Sequence, residues 1–397
     1  MFSKETYIKR RELLRERVSR GGLILLPGNS EAPRNYPDNG YHFRQDSNFL
    51  YFYGLKLPDL VGLLDIDAGE DWLFGDDLSM DDIIWTGPQP TVSELGARCG
   101  ISHTAPLAVL QEKLTLAIRK GRPVHFLPPY RADNKLKLSR WLGICPEAIA
   151  DRISIELAIA IVSLRDKKSD EEIREIEDAC EIGYRMHTTA MKMCRPGARE
   201  RDIAGAIEGI ALEMGEGVSF HSIVTQHGET LHNHGHDGIL ESGRMLLVDA
   251  GAENLMNYCS DFTRSYPVNG RFTPMQRDIY EIVLAANAHA FEMAKPGLLY
   301  KEVHLACVKV ILEGLKSLGL VRGDMDEAVA NGVHALFMPH GLGHLMGLDV
   351  HDMEDNGAQH AARRKQPADG PAPAGGDGDD RRTRYLFHSG LHRQMEG

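Results

Sequence analysis

Several features that define common protein classes are missing from this sequence. Its six cysteines are scattered without a CxxC pair, which excludes a zinc ribbon and fits reduced thiols. No apolar run approaches the roughly 20 residues of a membrane helix, and the charged N-terminus lacks the apolar core of a signal peptide. The formal net charge of −12 argues against nucleic acid, because phosphates attract a basic surface. We therefore expect a cytoplasmic protein whose partners are neither membranes nor nucleic acids.

The first 160 residues alternate helical and strand patterns. YIKRRELLRERV has helical spacing. Short apolar runs follow at LILLPG (23–28), VGLLDID (61–67) and VHFLPPY (124–130), and each is bounded by turn-forming residues or charge. This alternation predicts an α/β domain over residues 1–160.

A second domain is predicted to begin near residue 165. The polar stretch SLRDKKSDEEIREIEDAC becomes helical, and Ser169 with Glu172 forms the S-x-x-E pattern of a capping box. Ile173, Ile176 and Cys180 then follow at helical spacing. We expect this domain to extend to residue 355, where the apolar pattern stops.

The second domain contains a weak internal repeat. An amphipathic helical pattern runs into Pro196-Gly197 and a further helical pattern follows, and the same arrangement recurs at Pro296-Gly297. The repeat indicates either two pseudo-equivalent halves with a site between them, or two unrelated helix pairs that each contain a Pro-Gly turn.

Two aspartates flank a predicted hairpin. MLLVD ends in Asp249, and NYCSDFTRSY carries Asp261 in strand-favouring sequence. A hairpin centred near Leu255 places the two carboxylates roughly opposite each other, which is unfavourable unless a cation lies between them. The alternative is that they face opposite sides of the sheet or are solvated at the strand ends.

Histidines are concentrated in two segments. HGLGHLMGLDVHD carries His340, His344 and His351, and its glycines disfavour a helix. Because Gly341 replaces the glutamate of H-E-x-x-H, a zincin site is excluded, and we expect a loop followed by a strand over LDVHD. LHNHGHDG carries His232 and is either a histidine-rich surface loop or a substrate-contacting segment.

These segments resemble a known family. LH at His232, VDAG at Asp249, SDFTRS at Asp261 and MPHGLGHLMGLDVHD are similar, in order and spacing, to the motifs of Xaa-Pro aminopeptidases, the aminopeptidase P group of the pita-bread metallopeptidases. YHFRQDSNFLYFYGL (41–55) resembles the motif of their N-terminal domain. The resemblance covers residues 1–355. It implies an α/β N-terminal domain followed by a pseudo-symmetric pita-bread (α+β) metallopeptidase domain.

The resemblance also implies a reaction and a site. It implies release of an N-terminal residue from peptides with proline at the second position, by two divalent metal ions, most commonly Mn²⁺, which activate water and polarise the scissile carbonyl. Asp249, Asp261 and His344 match metal ligands. His232, His340 and His351 match histidines that contact substrate and stabilise the tetrahedral intermediate. We also expect a homo-oligomer. The alternatives are an Xaa-Pro dipeptidase (prolidase) and a non-catalytic pita-bread protein that binds peptides.

The sequence departs from the family pattern after the histidine segment. The family's two further ligands are glutamates in segments such as Thr-Asp-Glu-Pro-Gly-Ile-Tyr and Arg-Ile-Glu-Asp, and neither segment is present. Glu354 and Glu396 are the only later glutamates, and neither has that context. The ligand set is thus three of five, so we expect at most one bound ion, an incomplete fold and impaired activity.

Residues 356–397 have the composition of a non-native, disordered tail. A one-base shift of reading frame from Asp380 permits the codons for Thr-Asp-Glu-Pro-Gly-Ile-Tyr-Phe-Ile-Pro, and Met395 into Glu396 becomes Trp. This match to the missing glutamate segment predicts that the tail is a frameshift product. The alternative is the natural, divergent tail of a pseudoenzyme.

Overall fold

The computed structural model describes residues 1–354. The predicted tail over 356–397 lies outside the described residues. The described chain divides into two compact units, Met1–Arg165 and a second that begins at Asp166. Across these 354 residues, no helix is both long and apolar enough to cross a membrane.

The first unit is a mixed sheet with helices. Its five strands lie in the order β4-β3-β2-β1-β5, where β1 pairs antiparallel with β2 and parallel with β5. The strands are β1 Leu23–Pro27, β2 Val61–Asp65, β3 Glu70–Phe74, β4 His103–Ala105 and β5 Val124–His125. The α-helices are α1 Lys4–Arg17, α2 Ser47–Tyr53, α3 Met80–Thr86, α4 Val92–Arg98, α5 Leu107–Arg119, α6 Ala132–Leu142 and α7 Ile155–Arg165, with a 3₁₀ helix at Pro146–Asp151.

The apolar runs of the sequence form the centre of this sheet. Four of the five residues of β1, and four of the five of β2, are buried, as expected for strands covered on both faces. The third predicted strand is shorter than its apolar run, because only Val124–His125 pairs with β1. Phe126 continues the run as a buried core residue outside the ladder.

The second unit contains two small sheets and two long helix pairs. A three-stranded sheet has the order β10-β8-β7, and β6 pairs with β9. The strands are β6 Gly217–Val218, β7 Ile223–Thr225, β8 Met245–Ala250, β9 Ala252–Glu253 and β10 Phe262–Pro267. The α-helices are α8 Asp170–Met193, α9 Glu200–Met214, α10 Pro274–Met293, α11 Tyr300–Ser317 and α12 Met325–Ala330, with a 3₁₀ helix at Val333–Leu336.

The Pro-Gly repeat corresponds to two similar helix pairs. Helices α8 and α10 end at Met193 and Met293, and α9 and α11 begin seven residues later, at Glu200 and Tyr300. Gly197 and Gly297 have φ values of 83° and 97°, which only glycine adopts without strain. The repeat therefore marks equivalent helix–turn–helix units.

Helix α8 packs closely on the hairpin formed by β8 and β10. The predicted capping box is present, because Ser169 and Glu172 exchange side-chain and backbone hydrogen bonds. Gly183 allows the close approach, since a Cβ there would lie 2.7 Å from the Phe262 ring and 2.9 Å from Ser260 Oγ. The hairpin that carries both aspartates is thus fixed against a 24-residue helix.

The prediction of a strand over LDVHD is wrong. Residues 347–351 are a series of bends, and Asp352 has no regular secondary structure. Within the described chain this segment bonds to itself and to the hairpin: Asp352 N–H donates to Leu345 O at 2.9 Å, and Cys259 N–H donates to Gly347 O at 2.8 Å. A strand needs a continuous ladder with a neighbour, and these bonds close a loop instead.

Candidate metal centre

The hairpin register places Asp249 next to a threonine. Strands β8 and β10 pair so that Asp249 faces Thr263, because the turn is centred on Met256, one residue beyond the predicted centre. A shift of one residue in the centre moves the facing partner by two. Asp261 precedes Thr263 by two residues and therefore lies diagonally across from Asp249 on the same side of the ladder.

Asp249 is a half-buried carboxyl group. Its Oδ1 accepts a hydrogen bond from Thr263 Oγ1 at 2.7 Å. Burial raises the pKa of Asp249, the hydrogen bond from Thr263 opposes this, and the charge of Asp261 raises it further. The net result is a pKa above the ordinary carboxyl value. A nearby cation would favour the ionised form.

Asp261 contacts the histidine segment. Its Oδ2 lies 3.2 Å from His344 Nε2, with both side chains about a quarter exposed or less. Burial alone lowers the pKa of His344, but the hydrogen bonds to Asp261 and to Leu345 O outweigh it and raise the pKa above its ordinary value. The carboxylate and the imidazole thus form a charge-assisted pair.

His351 stacks on His344. The two ring centroids are 3.7 Å apart and the ring planes differ by 11°. Burial and the adjacent His344 lower the pKa of His351, although Asp261 acts in the opposite direction. The pKa values of the two imidazoles are therefore shifted in opposite directions. His344, next to Asp261, favours the protonated form, and His351, stacked on it, favours the neutral form.

The other two predicted histidines occupy different surroundings. His232 lies close enough to Asp249 for its charge to lower the pKa of that carboxyl, and its ring is 6.2 Å from that of His234. His340 is exposed, and its Nδ1 lies 2.8 Å from Gly341 O. Together with burial and His334, His340 lowers the pKa of His304. The structure thus brings Asp261, His344 and His351 into contact, with Asp249 on the same side of the hairpin, and it leaves His340 beside a different histidine pair.

The donors fit a hard divalent ion in chemistry, but their geometry is incomplete. Two carboxylates and one imidazole form a ligand set that suits Mn²⁺ better than a soft, thiolate-seeking ion. Residues 1–354 contain no group of three or more His, Cys, Asp or Glu side chains arranged to hold a metal. Instead, His344 Nε2 contacts Asp261 directly. The assignment of Asp249, Asp261 and His344 as ligands therefore stays a prediction.

Sequence reasoning missed several residues that support this centre. Thr263 holds Asp249, and it could have been found only with the register known. Glu354 Oε1 accepts a hydrogen bond from the N–H of Leu345 at 2.8 Å, directly beside His344. Lys168 contacts Asp352 from the start of the second unit. No local sequence motif predicts the ion pair of Lys168, because its partner Asp352 lies far away in the chain.

Two family patterns match the chain. Residues 174–374 match metallopeptidase family M24, and residues 7–125 match the aminopeptidase P N-terminal domain. The M24 match continues beyond residue 355, where the motif resemblance stops. Together the two matches span both units.

Individual proteins show the same relationship. The chain is 30% identical over 363 residues to the Xaa-Pro aminopeptidase of Escherichia coli. This match covers 89% of this chain and 82% of the relative. A probable Xaa-Pro aminopeptidase of Chaetomium globosum is 30% identical over 347 residues, and the match spans 86% of this chain but only 57% of that protein. Zinc-substituted E. coli aminopeptidase P in complex with product superposes with a TM-score of 0.78 at 29% identity, covering 89% of this chain and 82% of that one.

Proposed function

The chain belongs to metallopeptidase family M24 and carries an aminopeptidase P N-terminal domain, and from this premise we propose that its site is built to release an N-terminal residue that precedes proline. The substrates are peptides with proline at the second position. The metal we propose is Mn²⁺, and the further elements of the proposal are a cytoplasmic location and assembly into a homo-oligomer.

One observation carries the proposal. Asp261 and His344, which are 83 residues apart in the chain, meet at 3.2 Å, and the half-buried Asp249 lies on the same side of the hairpin. Without a cation, a desolvated carboxylate beside a second carboxylate is unfavourable. A divalent ion would relieve that repulsion, which is the reason to assign a metal to this place rather than to another acidic group.

The described residues have distinct roles in this proposal. Two divalent ions, when bound, activate water and polarise the scissile carbonyl. Asp249, Asp261 and His344 hold the metal, and Thr263 fixes the orientation of Asp249. His351, stacked on His344, and His232, beside Asp249, donate hydrogen bonds to the oxygen that becomes negative. We assign His340 to the same role.

The activity of these 397 residues is a separate part of the proposal. Neither family glutamate segment is present, so three ligands must compensate the charge of a centre that normally uses five. We propose that such a centre holds at most one ion, weakly, and turns over little peptide. A prolidase would cleave only the Xaa-Pro dipeptide, and a peptide-binding relative would cleave nothing.

Peptide hydrolysis separates these functions. The purified chain and a restored chain, in which the tail is replaced by one that carries both family glutamate segments, are incubated with Mn²⁺ and either alanyl-prolyl-alanine or alanyl-proline. We expect the restored chain to release alanine from the tripeptide and the present chain to release little. Cleavage of the dipeptide alone would identify a prolidase. Robust release by the present chain would refute its proposed impairment, and no release by the restored chain would refute the peptidase function.

A further inference from the structure

A buried ion pair lies beneath the histidine segment. Lys168 Nζ is 2.8 Å from Asp352 Oδ2, and each side chain is only 2% exposed. Burying two charges carries a desolvation cost that their attraction only roughly offsets, so such a pair is weak evidence for stability. Its more specific effect is geometric, because both charged ends must remain together.

Asp352 closes the loop that carries the histidines. The backbone N–H of Asp352 donates to Leu345 O at 2.9 Å, and its side-chain Oδ1 accepts a hydrogen bond from the N–H of Met353 at 2.8 Å. Gly347 leaves the space for this arrangement, since a Cβ there would lie 2.1 Å from Asp352 Oδ2 and 2.9 Å from Lys168 Cε. The loop therefore begins beside His344 and ends beside His351, and the ion pair lies at its closure.

Lys168 is itself fixed by the helix that holds the hairpin. It precedes Ser169, the N-cap of α8. In the first turn, the buried Glu172 accepts a hydrogen bond from Tyr258 Oη at 3.1 Å, and Asn254 Nδ2 donates to Glu175 Oε2 at 2.7 Å. Tyr258 and Asn254 belong to the turn between β8 and β10. The start of α8 therefore holds both the turn next to the aspartates and, through Lys168, the histidine loop.

We propose that Lys168 is a positioning residue: through Asp352 it orients the loop 345–352 so that His344 meets Asp261 and His351 stacks on His344. The role of these groups as a metal centre rests on the proposed function, but the orientation of the two rings does not. The competing explanation is that the pair only stabilises the fold. A neutral replacement would then leave the rings in place.

The test uses the metal-free chain and a neutral double variant, Lys168→Met with Asp352→Asn, so that no buried charge is left unpaired. NMR of the imidazole protons measures the nuclear Overhauser effect between the His344 and His351 rings. We expect this contact to be lost while the amide spectrum remains dispersed. The matched control is Lys137→Met with Asp59→Asn, because Lys137 and Asp59 also pair at 2.8 Å but belong to the first unit. The control keeps the contact.

Two further measurements make the test decisive. Gly347→Ala keeps both charges but displaces the Asp352 carboxylate, so it should also remove the contact between the two histidine rings. If the double variant does not fold, Gly347→Ala alone tests the positioning role. Titration with Mn²⁺ should show an affinity at least about tenfold lower in the double variant, as for other residues that orient ligands. Retention of the ring contact in a folded double variant or in Gly347→Ala overturns the proposal. If the rings separate but no form of the chain binds Mn²⁺, the metal assignment fails and the positioning role stands.

Discussion

At the scale of single residues, electrostatics distinguishes groups that the sequence shows as equals. Asp249 and Asp261 are both aspartates of one hairpin, but one is hydrogen-bonded by Thr263 and the other by His344. His344 and His351 belong to one motif, but their pKa values move in opposite directions because only His344 is hydrogen-bonded to Asp261. Motif spacing identified these residue types. Their individual roles depend on contacts across 14 to 83 residues of chain.

Thr263 provides a prediction at this scale. Thr263→Val removes the hydroxyl that orients Asp249 and should weaken Mn²⁺ binding about tenfold, as is typical when a ligand loses its orienting hydrogen bond. Thr188→Val is the control, because the Thr188 hydroxyl bonds to Tyr184 O within its own helix. Isothermal titration with Mn²⁺ measures both. Equal affinities for Thr263→Val and the parent chain would show that Thr263 does not support a ligand.

Asp65 provides a pH-dependent prediction in the first unit. Burial alone would raise its pKa, but hydrogen bonds from Arg122 and from the Ala68 backbone outweigh this and lower it. Because the folded carboxyl has the lower pKa, its stabilising contribution is present at neutral pH. The contribution is lost as the pH falls from the ordinary carboxyl value through the folded pKa.

We therefore expect Asp65→Asn to reduce the unfolding free energy by about 0.5–1 kcal/mol at pH 7, a modest value because the pair is partly exposed. The difference should shrink as the pH falls below the ordinary carboxyl value, because protonation of Asp65 removes the ion pair. All three tryptophans, Trp72, Trp85 and Trp141, lie in the first unit, so their fluorescence during urea unfolding reports on it selectively. Asp38→Asn, at an exposed position, is the control. A difference that persists unchanged at pH 3 would refute the assignment.

At the scale of elements, local sequence patterns were sufficient to predict that the hairpin exists, but not to predict which of its residues pair. The apolar run MLLVD and the strand-favouring sequence around Asp261 predicted the hairpin correctly. Its centre is set by Asn254, whose N–H bonds to Tyr258 O, and by Asn257, which has a φ of 62°. Several turns fit so turn-rich a segment, so the sequence could not select this one. The prediction of a strand over LDVHD was wrong for a different reason. A strand-like sequence pattern does not reveal whether a neighbouring strand is available to pair with it.

Two glycines provide a prediction for the hairpin and its surroundings. A Cβ on Gly251 would lie 1.8 Å from Ser260 O and 2.6 Å from Ser219 Oγ, so Gly251→Ala should destabilise the hairpin by about 3 kcal/mol. Gly205, inside α9, has open space around it, and Gly205→Ala should stabilise the chain by up to about 1 kcal/mol. Hydrogen exchange of peptides from β8 and β10 measures the first effect, and thermal unfolding measures both. Slower exchange in Gly251→Ala would contradict the described packing.

At the scale of the whole molecule, the order of the motifs identified the family, while the chain length and the change of pattern near residue 165 predicted two domains. The Pro-Gly repeat left two interpretations open, and the paired helices α8–α9 and α10–α11 resolve it as equivalent units. The Lys168–Asp352 pair could not be predicted, because a single lysine in a charged linker has no distinguishing pattern.

The reading frame is the prediction that belongs to this scale. Sequencing the gene across codons 350–397 should reveal a second frame that encodes Thr-Asp-Glu-Pro-Gly from Asp380 and tryptophan at Met395 into Glu396. Restoring that frame should supply the first missing carboxylate. The hypothesis is rejected if no alternative frame encodes Asp-Glu-Pro-Gly near codon 382.

The most direct test of the central claim is the number of Mn²⁺ ions that the 397-residue chain binds at equilibrium, measured by titration for the parent chain, Asp249→Asn and Asp261→Asn. Three ligands of a site built for five predict at most one ion per chain, weakly bound, and its loss in either variant. Two tightly bound ions, or binding that neither substitution changes, would contradict the account.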